Sequence, residues 1–176
     1  MAMTVESIAL IGYRGAGKSA VAQQLALRLG WDWVDADVEV ELQAGKSIAA
    51  IFADDGEEKF RDLESEVVAD LCSRHRTVIA LGGGAVLRPS NREAIGRCGA
   101  VAWLKASIDA IVRRLSRDAS SAQRRPNLTK AGGRTEIEQL LAQREPFYRA
   151  CATLDVDTQD KTPAEVADEI VAKLGL

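Results

Sequence analysis

Residues 12–19, Gly12-Tyr13-Arg14-Gly15-Ala16-Gly17-Lys18-Ser19, follow the pattern G-x-x-x-x-G-K-[ST]. Glycines at this spacing let the backbone curl so that successive N–H groups point inward at phosphate oxygens. A helix opening at the same place adds its positive N-terminal dipole. In such a loop Lys18 reaches the β- and γ-phosphates of a nucleotide and the Ser19 hydroxyl ligates magnesium. Nucleotide contacts are expected from Gly15, Ala16, Gly17, Lys18, Ser19 and Ala20. The plain alternative is a glycine-rich turn that binds nothing, but the flanking sequence reads as strand before and helix after, the context the mechanism requires.

Asp35-Ala36-Asp37 is the second candidate. Two carboxylates at the carboxyl end of a parallel strand stand where open α/β sheets place their ligands. A solvated turn or a helix N-cap would also use Asp, so the pair gains its meaning from the phosphate loop beside it. With His75 the only histidine, a zinc site or a Ser-His-Asp triad lacks its usual parts and any general base is a carboxylate. A guanine-reading N-K-x-D is absent, since Asn91 and Asn127 precede Arg and Leu. The strand TVIAL runs into Gly82-Gly83-Gly84 rather than into the acidic residue of a motor. The acidic residues follow the second strand instead, as Asp35 and Asp37, which suits a compact kinase whose magnesium shell and acceptor site adjoin.

The elements that must carry these residues alternate. A β-rich run from Val5 to Ile11 leads through the loop into a helix from Ala20 to Leu29, where apolar residues recur at helical spacing. Trp31–Asp35 reads as a strand, followed by helices over about 38–53 and 57–73. Then come the strand TVIALGG, a short helix near 91–96, the strand AVAWLK and a helix over 107–117. Residues 118–134 hold few large apolar side chains and read as a mobile surface segment. A helix over about 136–151, a strand near 153–156 and a last helix opening on the capping box Thr162-Pro163-Ala164-Glu165 close the chain. Five short apolar strands separated by helices predict an α/β fold, a parallel sheet covered on both faces. Trp31, Trp33 and Trp103 are assigned to packing beside the sheet, and His75 to the surface at a helix end.

At 176 residues and 47% hydrophobic, the chain can bury one sizeable core, so one domain over 1–176 is expected. A net charge of -3 and a pI near 5.3 provide no positive field for nucleic acid or an acidic membrane. Cys72, Cys98 and Cys151, odd in number and set among aliphatic residues, suit reduced thiols. The N-terminal stretch has neither a basic region nor an apolar run long enough for a signal peptide or a membrane helix, and a cytoplasmic monomer is the expectation.

Over nearly its whole length the chain resembles the shikimate kinases, through GYRGAGKS, the DAD pair, EEKFRDLE, LGGGAVLRP, RRPNL and QREPFYR. The resemblance implies a P-loop kinase fold with a lid at about 118–134 and a substrate-binding region at about 35–64. It also implies transfer of the ATP γ-phosphate to the 3-hydroxyl of shikimate. Asp37 would orient that hydroxyl, and Asp35 would hold Mg2+ through water. Arg61 and Arg144 would bind the shikimate carboxylate, with Gly83 a further substrate contact. Arg125 would be the lid arginine on the ATP phosphates. Lys161, where an arginine is often found, and Pro163 would lie beside adenine, with Arg113 or Arg114 on its other face.

Bidentate guanidinium forks suit a carboxylate. Taken without the resemblance, Arg61 reads equally as a surface i,i+4 partner of Glu57, and Arg144 as an ordinary exposed arginine before Pro146. Another small-molecule kinase, for gluconate or a nucleoside monophosphate, is the nearest competing function. A nucleotide-binding module without catalysis is the competitor from a different class.

Overall fold

The computed structural model describes residues 4–118 and 132–176. Arg125 and most of the expected lid lie outside the described residues. Strand β1 (Ser7–Ile11) is buried at every position and pairs in parallel with β3 (Thr77–Ala80) on one side and β4 (Ala100–Lys105) on the other. The edge strands β2 (Asp32–Asp35) and β5 (Leu154–Asp157) complete a five-stranded parallel sheet in the order β2-β3-β1-β4-β5. Because both faces of the central strands are covered, they carry unbroken apolar runs rather than alternating ones.

Alternation along β1 sorts the core into two layers. Ile8 and Leu10 pack with α1 (Lys18–Leu29) and α7 (Pro163–Leu174), while Ala9 and Ile11 face α2 (Ala36–Ala44), α3 (Ile48–Leu71), α4 (Pro89–Ile95) and α6 (Gly133–Cys151). Helix α5 (Ile108–Arg117), capped by Ser107, packs on α6 beside the phosphate loop through Ile111, Ile137 and Tyr13. The capping box closes as expected, with Glu165 N–H on Thr162 Oγ1 at 3.2 Å and Thr162 N–H on Glu165 Oε2 at 2.7 Å.

Three expectations change. The helix expected over 38–53 is two helices, because Gly45 enters the left-handed region (φ 69°) and ends α2, and the Ser47 side chain caps α3. The next break falls where expected, at Gly56 (φ 86°, ψ 169°). Trp33 is 40% exposed rather than packed: β2 is an edge strand, and no further strand covers it. The third strand stops at Ala80, and a 3-10 turn over Ala85–Leu87, not foreseen, precedes α4.

Cys72, Cys98 and Cys151 are free thiols, and His75 is exposed beside Glu6. Among the described residues no helix is long and apolar enough to cross a membrane.

Candidate active site

The phosphate loop joins β1 to α1 at the carboxyl edge of the sheet. Gly12 adopts φ 142° against the end of β4, where a Cβ would stand 2.5 Å from the Leu104 carbonyl oxygen, so only glycine fits. Helix α1 begins at Lys18, two residues before the sequence pattern suggests. Its cap, Gly17, offers no side-chain acceptor, and its first turn contains no acidic residue. The positive end of the helix therefore has no acidic residue of its own first turn to compensate it, which suits a phosphate. Lys18 Nζ lies across the loop, donating to the carbonyls of Gly12 at 2.8 Å and Tyr13 at 2.9 Å. Ala16 is buried in the core and does not line the cleft, whereas Ala20 does.

Asp35 links this loop to β2. Its Oδ2 accepts from the Ser19 hydroxyl at 2.5 Å, and its Oδ1 caps α2 by accepting from the Asp37 N–H at 2.9 Å. One side chain thus caps α2 and accepts from the phosphate loop. Lys18, Ser19, Asp35, Asp37, Gly83 and Arg114 line a single cleft of about 330 Å³. Arg14 and Asp118 reach the same cleft.

Behind the glycine turn at 82–84 stand the two arginines expected to seek a carboxylate. Both are buried, Arg61 at 6% and Arg144 at 3% exposure, which rules out the surface readings. Arg61 Nη1 donates to Glu64 Oε1 at 2.7 Å, while Glu57, the expected i,i+4 partner, is 3.5 Å from Nη2. Arg144 lies over the Tyr13 ring at 5.7 Å. A Cβ on Gly83 would come within 3.2 Å of Arg144 Nη1, and one on Gly84 within 2.5 Å of Arg61 Nη1. Arg61 Nη2 and Arg144 Nε have no hydrogen-bond partner. A buried cationic donor without a hydrogen-bond partner is costly, and a carboxylate is a group whose geometry matches a guanidinium.

Of the two candidate adenine arginines, Arg114 lies at the cleft. It donates to the Gly15 carbonyl at 3.1 Å, to Thr158 Oγ1 at 3.2 Å and to the Thr158 carbonyl at 3.4 Å, and Arg113 is exposed. Lys161 is exposed and paired with Glu169 at 2.6 Å, and Pro163 opens α7. Neither Lys161 nor Pro163 lines the cleft. Sequence reasoning passed over Glu64 and Tyr148, whose hydroxyl donates to the Gly83 carbonyl at 2.5 Å. Helical spacing held the clue to both, since they follow Arg61 by three residues and Arg144 by four.

Comparison with known proteins agrees with this geometry. The family profile described as shikimate kinase matches residues 14–175. Shikimate kinases from Rhodopirellula baltica and Thioalkalivibrio sulfidiphilus are 44% and 42% identical over 162 and 164 residues. These alignments cover 92% and 93% of this chain and 87% and 84% of theirs. The structure of the shikimate kinase from Acinetobacter baumannii in complex with shikimate superposes with a TM-score of 0.91 at 34% identity, covering 98% of this chain and 94% of that one. The chain belongs to the shikimate kinase family and has that family's activity, ATP-dependent phosphoryl transfer in the shikimate pathway.

Proposed function

We propose that the cleft binds ATP along the phosphate loop and shikimate between Asp37 and the glycine turn, and that Asp37 orients the 3-hydroxyl for in-line attack on the γ-phosphorus. The observation that carries this reading is the pair of buried arginines whose terminal nitrogens stand behind the turn, Arg144 Nη1 at Gly83 and Arg61 Nη1 and Nη2 at Gly84, with Arg61 Nη2 and Arg144 Nε lacking a hydrogen-bond partner. They anchor the acid group of the acceptor, and Gly83 provides a backbone contact beside it. Asp37, which lines the cleft with Lys18, accepts from the ring hydroxyls and receives the proton as the new O–P bond forms. Because phosphoryl transfer depends mainly on positioning and charge neutralisation, a weak base suffices.

Ser19 Oγ and Asp35 Oδ2, 2.5 Å apart, are hard oxygen donors of the kind Mg2+ takes. Mg2+ keeps several waters and takes substrate phosphates into its shell, so few protein ligands are required of such a site. Ser19 would hold the ion directly and Asp35 through water, and the bound ion would neutralise charge on the phosphates. Arg114 is assigned to the nucleotide side, with Lys161 at its outer rim and Arg125 as the phosphate contact of a lid at 118–134. We further assign the chain to one domain with its acceptor region at about 35–64, acting as a cytoplasmic monomer.

A coupled ADP-release assay across shikimate, gluconate, AMP and CMP tests the acceptor. Turnover is expected with shikimate alone, and turnover of gluconate without shikimate overturns the assignment.

A further inference from the structure

The turn at Gly82-Gly83-Gly84 has a conformation that its own sequence does not dictate. Ala85 N–H donates to the Gly82 carbonyl at 3.0 Å, and Gly84 sits at φ −95°, ψ 3°. Those are the angles of the third residue of a type I turn. A type II turn closes the same hydrogen bond with the central peptide rotated by roughly half a revolution, and it asks for positive φ at the third residue, which glycine adopts without steric cost. Glycine at 84 therefore leaves both turns open. Its presence has another cause: a Cβ there would lie 2.5 Å and 2.6 Å from the two terminal nitrogens of Arg61. A side chain there would displace the Arg61 guanidinium from behind the turn, and glycine in its place carries no bias against a flipped peptide.

Tyr148 supplies the missing bias from outside the turn. Its hydroxyl donates to the Gly83 carbonyl, which belongs to the very peptide whose orientation distinguishes the two turns. The side chain has 0% exposure, and its ring stands 5.9 Å from that of Trp103, so the phenol cannot follow a rotating carbonyl. A flip would leave the hydroxyl without this acceptor inside the core. Arg144, one helical turn earlier on α6, closes the other side of Gly83, where a Cβ would be 3.2 Å from its Nη1. A single helix thus brings both the cation behind the acceptor site and the hydroxyl that sets the backbone in front of it.

We propose that Tyr148 is a positioning residue for the acceptor site, holding the 83–84 peptide in the type I orientation so that the turn presents one fixed face to the hydroxy acid. This inference rests on the placement of the acceptor beside Gly83 given above. It is tested with Tyr148→Phe, which keeps the ring and removes only the hydroxyl. Val166→Ala, a core change on the opposite face of the sheet, serves as the control for lost stability.

With uniformly 15N-glycine-labelled protein, Tyr148→Phe is expected to broaden or double the Gly84 amide resonance, to raise the KM for shikimate about tenfold and to leave the KM for ATP within about twofold. Val166→Ala is expected to lower Tm without any of these changes. A single sharp Gly84 resonance with wild-type shikimate KM in Tyr148→Phe overturns the proposal, as does a loss that falls equally on both substrates. Failure of the acceptor placement itself would show instead as a wild-type shikimate KM in Arg61→Ala and Arg144→Ala, with the Tyr148→Phe resonance result still readable.

Discussion

Glu64 Oε1 lies 2.7 Å from Arg61 Nη1 on the same face of α3, and both side chains are buried, at 1% and 6% exposure. The pair explains how a guanidinium is kept inside the protein directly behind the glycine turn. Glu64 compensates Nη1, while Nη2, 3.5 Å from Glu57 Oε1, has no hydrogen-bond partner. Removing one member of a buried ion pair strands the other. Glu64→Ala is therefore expected to lower unfolding free energy by about 3 kcal/mol in urea titration. It should also raise the KM for shikimate more than that for ATP. Wild-type stability in this variant would contradict the pairing.

Asp35 serves two partners at once, and the two roles separate in Asp35→Asn. Asparagine caps a helix about as well as aspartate, so α2 should keep its start and thermal stability should change little. The lost charge falls on the Ser19 side of the residue. The magnesium concentration needed for half-maximal turnover should rise about tenfold, consistent with loss of one charge-assisted contact. Titration of activity against Mg2+ at fixed ATP measures it, and an unchanged midpoint would remove Asp35 from the metal shell.

Lys18 reaches two carbonyls of its own loop, Gly12 and Tyr13, and is the cation we assign to the transferring phosphoryl group. Lys18→Ala is expected to lower kcat by about a thousandfold, the upper range for loss of one transition-state donor. Shikimate should still bind, as followed by calorimetry, because Arg61 and Arg144 are untouched. Retained turnover would sink the role given to the loop.

Glu169 stands between Lys161 at 2.6 Å and Lys173 at 3.0 Å. Its hydrogen bonds to them, that to Lys161 first, hold its carboxyl below the ordinary 4.5. A depressed carboxyl stabilises the folded chain above its unfolded-state value, and the benefit disappears as pH falls through the folded value. The group faces solvent, so the effect is small and screened by salt. The Tm difference between wild type and Glu169→Gln should be present at neutral pH, shrink below about 4.5 and narrow in high salt. Thermal melts from neutral to acid pH check the sign, and a difference that persisted unchanged in acid would count against it.

What the chain reveals without its fold is whatever a few contiguous residues determine among themselves. The phosphate loop is of this kind, since Gly12 through Ser19 shape their own backbone and start their own helix. So are the capping box of Thr162 and Glu165 and the break at Gly56. The buried strands were legible because a strand covered on both faces must be apolar throughout. Family resemblance, rather than spacing, supplied the roles of Arg61 and Arg144, which helical pattern alone would have left on the surface.

Only the tertiary structure separates Arg113 from Arg114, because which of two adjacent side chains meets Gly15 and Thr158 is decided far away in the chain. It also moved Trp33 to the surface, since strand order and not strand sequence decides which strand is the edge. The conformation of the glycine turn is the clearest case. Three successive glycines specify no single turn, and it is Tyr148, delivered by a helix 65 residues further along, that holds the one observed. Local sequence limits the conformations a backbone can adopt, and packing against distant side chains selects among those it leaves open.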